Sequence, residues 1–430
     1  MKKQFLLSLF LIFSLSFSFA QKLDATEQKL IKKIQENHAE TMRLLTEVVN
    51  INSGTLNHEG VKAVGAVFRR EFEKIGFKTE WVSLPDSLNR AGHFVATHAG
   101  TKGKKLFFIG HLDTVFEKSM PFSPFTVIND STASGQGVND MKGGDVMILA
   151  SLKALHELDL LKDRHIVVYF TGDEESSGKP TSISRSDFIE KAKTCDVALA
   201  YETTSGFSIA TTARRGASGW ELSVSGKQAH SSGVFSDKVG YGAIYEAARI
   251  LNEFREQLST EKYLTFNPGQ IVGGSFITYN DTEAKGISLG KTNIVAKSCF
   301  VTGDLRFLTE DQKNKARETM KTIVKQSLNE TYASIKFSDG IPSMPPTEGN
   351  RNVMKVLSQA SQDLGMGAVH EGDPGSRGAG DISYIADYLD CLDGLGASGN
   401  GAHSPDETMN IKEYPLLVQR SALLVYRLLK

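Results

Sequence analysis

The chain has 430 residues, 40% of them apolar and 23% charged, with a formal net charge of −1. That length exceeds one small core and predicts two domains, while the near-neutral charge excludes the electrostatic footprint of a nucleic-acid or anionic-membrane binder. The three cysteines (Cys195, Cys299, Cys391) lie in apolar runs without Cys or His at zinc-finger spacing, so they read as buried small hydrophobes and exclude a disulfide framework.

Lys2-Lys3, an apolar run from Phe5 to Phe19 and the small-x-Ala ending Ser18-Phe19-Ala20 form a secretory signal peptide. The run is too short for a membrane span. Cleavage after Ala20 therefore predicts a periplasmic or secreted protein starting at Gln21, with no membrane contact in its mature form.

Between Lys22 and Val49, the apolar stripe Leu30, Ile34, Met42, Leu45, Val49 predicts an amphipathic helix, with His38 packed on it. A second helix carries Val61, Val64, Phe68, Phe72 and Ile75 and stops at Gly76. Strands follow at Lys78–Val82, Phe94–Ala99 and Lys105–Ile109. The last ends in Gly110-His111-Leu112-Asp113, where the Asp side chain can brace the imidazole while the other ring nitrogen meets a metal. Gly135-Gln136-Gly137-Val138-Asn139-Asp140 opens a further helix, and Gly143-Gly144 at its start demands a close approach by another group. Asp140 there fits either an N-cap or a ligand.

The chain is organised around His165–Phe170, a buried strand, and the Thr171-Gly172-Asp173-Glu174-Glu175 that follows. Adjacent carboxylates at a strand mouth repel one another, and burial pushes their protons back on unless a cation is near. With a divalent metal bound, one carboxylate can ligate it and its neighbour can serve as a general base. A helix near Ser186–Lys193 and a strand Val197–Tyr201 come next, with Glu202 at the strand's end. Strands alternating with helices predict a mainly parallel sheet covered on both faces, whose sites lie at the carboxyl ends of its strands. His111, Glu174, Glu175 and Glu202 all fall at such ends.

After Arg214-Arg215-Gly216 the pattern changes. A strand at Trp220–Val224, a helix Val239–Leu258, strands at Gly269–Tyr279 and Thr292–Phe307, a helix opened by a Thr309/Gln312 capping box and a strand Ala333–Phe337 follow the order of a ferredoxin-like α+β layer. The Pro-rich connector Pro342–Pro346 returns to α/β material: a helix near Asn350–Leu364, the Gly-rich stretch Gly372–Gly380, a strand Cys391–Leu395, a loop holding His403 and a last helix from Ile411. The predicted division is residues 1–20 (signal), 21–214 and 342–430 (catalytic domain) and 215–341 (inserted lid or dimerisation domain).

His-Leu-Asp-Thr-Val, Asn-Asp-Met-Lys-Gly-Gly, Asp-Glu-Glu, Tyr-Glu-Thr-Thr and Ala-His-Ser, in that order over nearly the whole mature chain, resemble the di-zinc metallopeptidases that include glutamate carboxypeptidase, succinyl-diaminopimelate desuccinylase and aminoacylase. The resemblance implies a zinc-exopeptidase α/β fold with two Zn²⁺ per subunit, Co²⁺ or Mn²⁺ being acceptable substitutes. His111 and Glu202 would hold one ion, Glu175 and His403 the other, and Asp140 would bridge them through a loop whose Asp140–Met141 bond is cis. Asp113 would brace His111, and Glu174 would be the general base. From the inserted domain, His230 would reach the neighbouring subunit's site in a homodimer and stabilise the oxyanion. Asn293 and Arg306 would hold a substrate carboxylate, and Gly380 would lie beside the substrate. Two departures from the family pattern, Asn293-Ile294-Val295-Ala296 and the extra cation in Ser376-Arg377, bear on substrate identity.

The leading expectation is an exported zinc exopeptidase that removes a C-terminal residue, an acidic one among the options, from a short peptide. An amidohydrolase acting on N-acyl amino acids is the alternative. A zinc-containing but inactive binding protein ranks below both, because Glu174 and all five ligand positions hold chemically competent residues. No nucleic-acid partner is expected.

Overall fold

The computed structural model describes residues 23–430; the predicted signal peptide and its cleavage point lie outside them. Leu106–His111, Ile166–Thr171 and Val197–Ala200 are apolar on both faces and become the centre of a six-stranded sheet. The strand order is Lys78–Val82, His93–His98, Ile166–Thr171, Leu106–His111, Val197–Ala200, Asp390–Leu392. The last four run parallel, and the first two form an antiparallel edge. Successive side chains alternate between two cores, as the strand period requires. Leu106, Phe108, Val168 and Leu199 face helices His58–Lys74, Lys142–Glu157 and Tyr414–Leu429. Phe107, Ile109, Tyr169 and Ala198 face helix Ser186–Ala192 and the turn at Asp381–Ile385. The sheet is thus mainly parallel with both faces covered, as expected.

Gly216–Gly226, Thr265–Gly274, Ser298–Phe307 and Thr331–Asp339 build a second, four-stranded antiparallel sheet. Numbered by appearance, its strands lie in the order second, third, first, fourth. With helices Gly242–Leu258 and Glu310–Lys325 this is the ferredoxin-like arrangement. It has its own core of Trp220, Leu222, Ile250, Phe254, Val301, Leu305 and Met320. The chain enters and leaves this layer side by side, because Arg214 and Met344 exchange backbone hydrogen bonds of 2.9 and 3.0 Å.

Local details differ from the sequence reading. The first helix is two, Ala25–Glu36 and His38–Val49. Asn37 between them keeps nearly helical angles (φ −82°, ψ −3°), so the apolar stripe carries across the break. The strand expected at Gly269–Tyr279 divides at Ser275, and Phe276–Asn280 pairs instead with Lys285–Leu289 in a hairpin. That second hairpin strand is exposed throughout, so it lacks the alternation that would have announced it. Thr309 accepts the Gln312 amide at 3.1 Å, but the Gln312 side chain returns to the amide of Leu308 rather than of Thr309, leaving the capping box half-formed.

The glycine pair has a physical explanation. A Cβ on Gly144 would lie 2.0 Å from the main-chain oxygen of Tyr201, and one on Gly143 would lie 2.6 Å from that of Val138. Only a bare backbone lets the helix after Asp140 pack against the strand end that precedes Glu202. Gly144→Ala is therefore expected to destabilise the fold by about 1–3 kcal/mol, the usual range for overpacking, read as a lowered urea midpoint. An unchanged midpoint would contradict this packing.

Candidate metal centre

Five loops converge at the carboxyl end of the parallel sheet. His111 ends its strand fully buried, Glu174 and Glu175 follow Thr171, and Glu202 follows Tyr201. Asp140 closes the turn before helix Lys142–Glu157. His403 comes from the loop between the short strands Gly399–Asn400 and Thr408–Asn410, in the left-handed region at φ 66°. A non-glycine residue pays roughly 1–3 kcal/mol for such a conformation, which persists where the surroundings fix it.

The five predicted ligands form one continuous chain of contacts. Nε2 of His111 lies 3.9 Å from Glu202 Oε1 and 3.3 Å from Asp140 Oδ1. The other Asp140 oxygen lies 3.3 Å from His403 Nε2, which is 3.1 Å from Glu175 Oε2. Asp140 therefore stands between two imidazoles and turns one oxygen to each. Ligand atoms of His111, Asp140 and Glu175 lie within 4.8 Å of one another. The Asp140–Met141 peptide bond is cis.

The charges show what this arrangement needs. Burial opposes a charge on His111, yet Asp140, Glu202, Glu174 and Glu175 lift its pKa well above the usual imidazole value. Hydrogen bonds to Asp140 and Glu175 push His403 up to about 10. Burial, with the charge of Asp140 beside it, raises Glu202 to about 7. Burial and the charge of Glu202 raise Glu174 well above the carboxylate range. Oε1 of Glu175 is buried without a hydrogen-bond partner among the described residues. Neutral imidazole nitrogens and carboxylate oxygens with one oxygen left over fit a borderline-soft divalent ion such as zinc.

Asp113 sits where expected but works through different atoms. Nδ1 of His111 meets its main-chain oxygen at 2.9 Å, whereas the carboxylate is 3.7 Å away. That carboxylate instead accepts the amides of Glu174 (3.0 Å) and Glu175 (3.2 Å) and the hydroxyl of Thr55 (2.6 Å). So Asp113 braces the imidazole with its backbone and the two glutamates with its side chain.

Three supporting residues escaped the sequence reading. The buried carboxylate of Glu407 accepts the amides of Gly137 (3.0 Å), Asn139 (2.8 Å) and Asp140 (2.9 Å), tying the Asp140 turn to the His403 loop. Its position four residues after His403, in a loop of small and turn-forming residues, was the available signal. Arg185, wholly buried, bonds Asp173 and reaches Asp381 at 2.7 Å, and Asp381 also accepts from Thr171 at 2.7 Å. Arg214 is paired with Asp393 and donates to the Gly378 carbonyl at 2.9 Å.

The remaining predicted residues lie elsewhere. Gly380 is buried against Arg214, whose Cζ would lie 3.2 Å from a Cβ there. His230 and Asn293 come together in the inserted layer, where the Ser231 amide donates to the Asn293 carbonyl at 2.9 Å. His230 is exposed and bonds Ser232 at 2.9 Å. Arg306, on Ser298–Phe307, is paired with Asp304 at 2.8 Å. None of these three belongs to the contact chain around Asp140 within one copy of the protein. Asp140, Glu174, Glu202, His403, Arg214 and Arg377 line an open cleft of about 260 Å³.

Such a donor set at the carboxyl ends of a mainly parallel sheet describes a metal-dependent hydrolase. The chain belongs to peptidase family M20/M25/M40, whose model matches residues 107–427. It is 27% identical over 414 residues to carboxypeptidase G2 of Pseudomonas sp. (strain RS-16), covering 95% of this chain and 93% of that one. To the succinyl-diaminopimelate desuccinylase of Buchnera aphidicola it is 27% identical over 316 residues, covering 70% and 78%. In fold it is similar to the aminopeptidase PepT of Bacillus cereus, with a TM-score of 0.71 at 18% identity over 94% of this chain and 99% of that one. The protein is thus a family metallopeptidase, an enzyme that hydrolyses amide bonds.

Glu407→Gln replaces an all-acceptor carboxylate with an amide that offers only one acceptor oxygen to three N–H groups. The Asp140 turn should loosen and zinc affinity fall about 10–100-fold, the range for lost outer-sphere support. Competition with a chromophoric chelator measures this, and unchanged affinity would show that Glu407 does not position Asp140.

Proposed function

We propose that the protein is an exported di-zinc exopeptidase that releases the C-terminal residue of a short peptide, with Glu174 as general base. One observation carries the metal count: the unbroken series Glu202, His111, Asp140, His403, Glu175, in which a single carboxylate serves two imidazoles. In this reading His111 and Glu202 hold one ion, His403 and Glu175 the other, and Asp140 both. Bound there, zinc supplies Lewis-acid polarisation of the scissile carbonyl and lowers the pKa of the attacking water.

The protein's own groups do the rest. Among the described residues no side-chain hydrogen bond engages the Glu174 carboxylate, while Asp113 holds its amide at 3.0 Å. Fixed at its backbone and free at its tip, Glu174 takes a proton from the attacking water and returns it to the leaving nitrogen. His230, brought from a second copy, donates to the developing oxyanion. Asn293 and Arg306 hold the substrate's α-carboxylate, and Gly380 lines its path.

Pairing of two copies through the inserted unit is supported by apolar side chains left exposed on it: Ile244, Tyr245, Ile271 and Phe276. Export is supported by the Lys2-Lys3, apolar-run, Ser18-Phe19-Ala20 sequence. Protein purified from its host should start at Gln21 and sediment as two chains; a retained N-terminus or a monomer would remove the corresponding part of the proposal.

The similarity to succinyl-diaminopimelate desuccinylase favours a second reading, deacylation of N-acyl amino acids by the same centre. Dipeptides screened against N-acetyl and N-succinyl amino acids separate the two. For either substrate class, Glu174→Gln is expected to cut kcat by at least about 10²–10⁴, the usual contribution of a positioned base, with two zinc ions retained by metal analysis. Near-normal turnover would refute the role of Glu174.

A further inference from the structure

We propose that Arg377, with Arg214 beside it, forms an anion-binding fork that selects substrates carrying a second carboxylate. The proposal rests on the amide-hydrolase reading above and adds to it a substrate class. Both guanidinium groups line the same cleft as Asp140, Glu174, Glu202 and His403. Their bonding differs. Arg214 is anchored by the Asp393 carboxylate and by the carbonyls of Gly378 (2.9 Å) and Ala379 (3.4 Å), yet its Nη2 is buried without a partner among the described residues. Arg377 precedes those two residues in the chain and has no carboxylate partner among the described residues. Its one side-chain contact there is Nη1 to Ser205 Oγ at 3.5 Å, and its Nε is buried and unpartnered.

An ion-paired surface arginine would need no further explanation, but these two are not of that kind. A guanidinium N–H removed from water and left without an acceptor costs free energy until an acceptor arrives. Burial and the neighbouring Arg214 charge both work against the charge on Arg377. Both residues line one cleft beside the donor set, and Arg214 ties down the loop that carries Arg377, so the planar forks there suit a carboxylate. The α-carboxylate of the substrate is assigned to Asn293 and Arg306 of the inserted unit. The anion left for Arg377 is therefore a second carboxylate, either the side chain of a released Asp or Glu or the free end of a dicarboxylic acyl group.

The test uses the zinc-loaded full chain and two substrate pairs. N-acetyl-glutamate against N-acetyl-glutamine probes the released residue; N-succinyl-leucine against N-butyryl-leucine probes the acyl side. We expect kcat/KM to favour the acidic member of one pair by about 10–100-fold, the worth of a charge-assisted hydrogen bond, and that pair identifies the source of the carboxylate. In Arg377→Met the ratio should collapse towards one at unchanged zinc content, and Arg377→Lys should restore part of it. Ratios near one in the unaltered enzyme, or a preference that survives Arg377→Met, would overturn the proposal. Calorimetric titration with glutarate and with butyrate supplies a readout independent of turnover: glutarate should bind at least about tenfold tighter, and Arg377→Met should abolish the difference. Loss of all turnover with the glutarate preference intact would sink the hydrolase reading and keep the anion fork. Turnover without any preference would do the reverse.

Discussion

The structure depends on a concentration of negative charge in a place where water is scarce. Asp113, Asp140, Glu174, Glu175 and Glu202 meet at one end of the sheet, and only two imidazoles lie among the ligands to oppose them. Carboxylates so placed either keep their protons or acquire cations. Burial lifts Asp113 to about 6 and Glu202 to about 7, and the surrounding carboxylates raise both imidazoles. A cation bound among them would offset that concentration of negative charge. The acidity is thus a requirement for cations, built into the fold before any cation arrives.

Holding such a cluster open without metal requires support that does not itself add to the site. The protein obtains it by spending further carboxylates on backbone amides. Glu407 holds three N–H groups of the Asp140 turn, and Asp113 holds those of Glu174 and Glu175. Arg185 joins the Asp173 side of that same loop to Asp381, which leads out of the Gly-rich stretch. All but the Arg185–Asp173 bond, which joins residues 12 positions apart, span a long sequence separation, so loops that meet only through folding are cross-tied by buried, charge-assisted hydrogen bonds. Such bonds are stronger than neutral ones and costly to break one-sidedly. The candidate ligands are consequently positioned by the protein's own hydrogen bonds.

Much of this was legible in the sequence for a definite reason. A strand buried on both faces shows itself as an unbroken apolar run, and a polar residue at its end stands out, which is why His111, Glu174, Glu175 and Glu202 could be placed on the sheet from pattern alone. Asp140 and His403 lie on irregular loops, and only the ordered motif set linked them to the others. What stayed hidden were interactions between remote segments. Nothing near Glu407 says that its carboxylate binds amides some 270 positions earlier, and nothing near Arg185 announces Asp381. The break at Asn37 and the hairpin after Ser275 were missed because one leaves periodicity intact and the other has none to read.

Charge balance separates the two arginines of the cleft. Arg214 is already neutralised by Asp393 and serves chiefly to fasten the Gly-rich loop through its carbonyls. Two divalent ions would balance the four carboxylates Asp140, Glu174, Glu175 and Glu202 when all are ionised. With those four offset, the field of the centre would do less to choose among substrates. Arg377 has no carboxylate hydrogen-bonded to it among the described residues, and in so confined a space such a charge bears on the sign that an entering molecule meets. On the proposed reading, hydrolytic chemistry and substrate choice would fall to different residues: the first to the carboxylate and imidazole cluster fixed by the fold, the second to Arg377 on a glycine-rich loop that Arg214 holds in place.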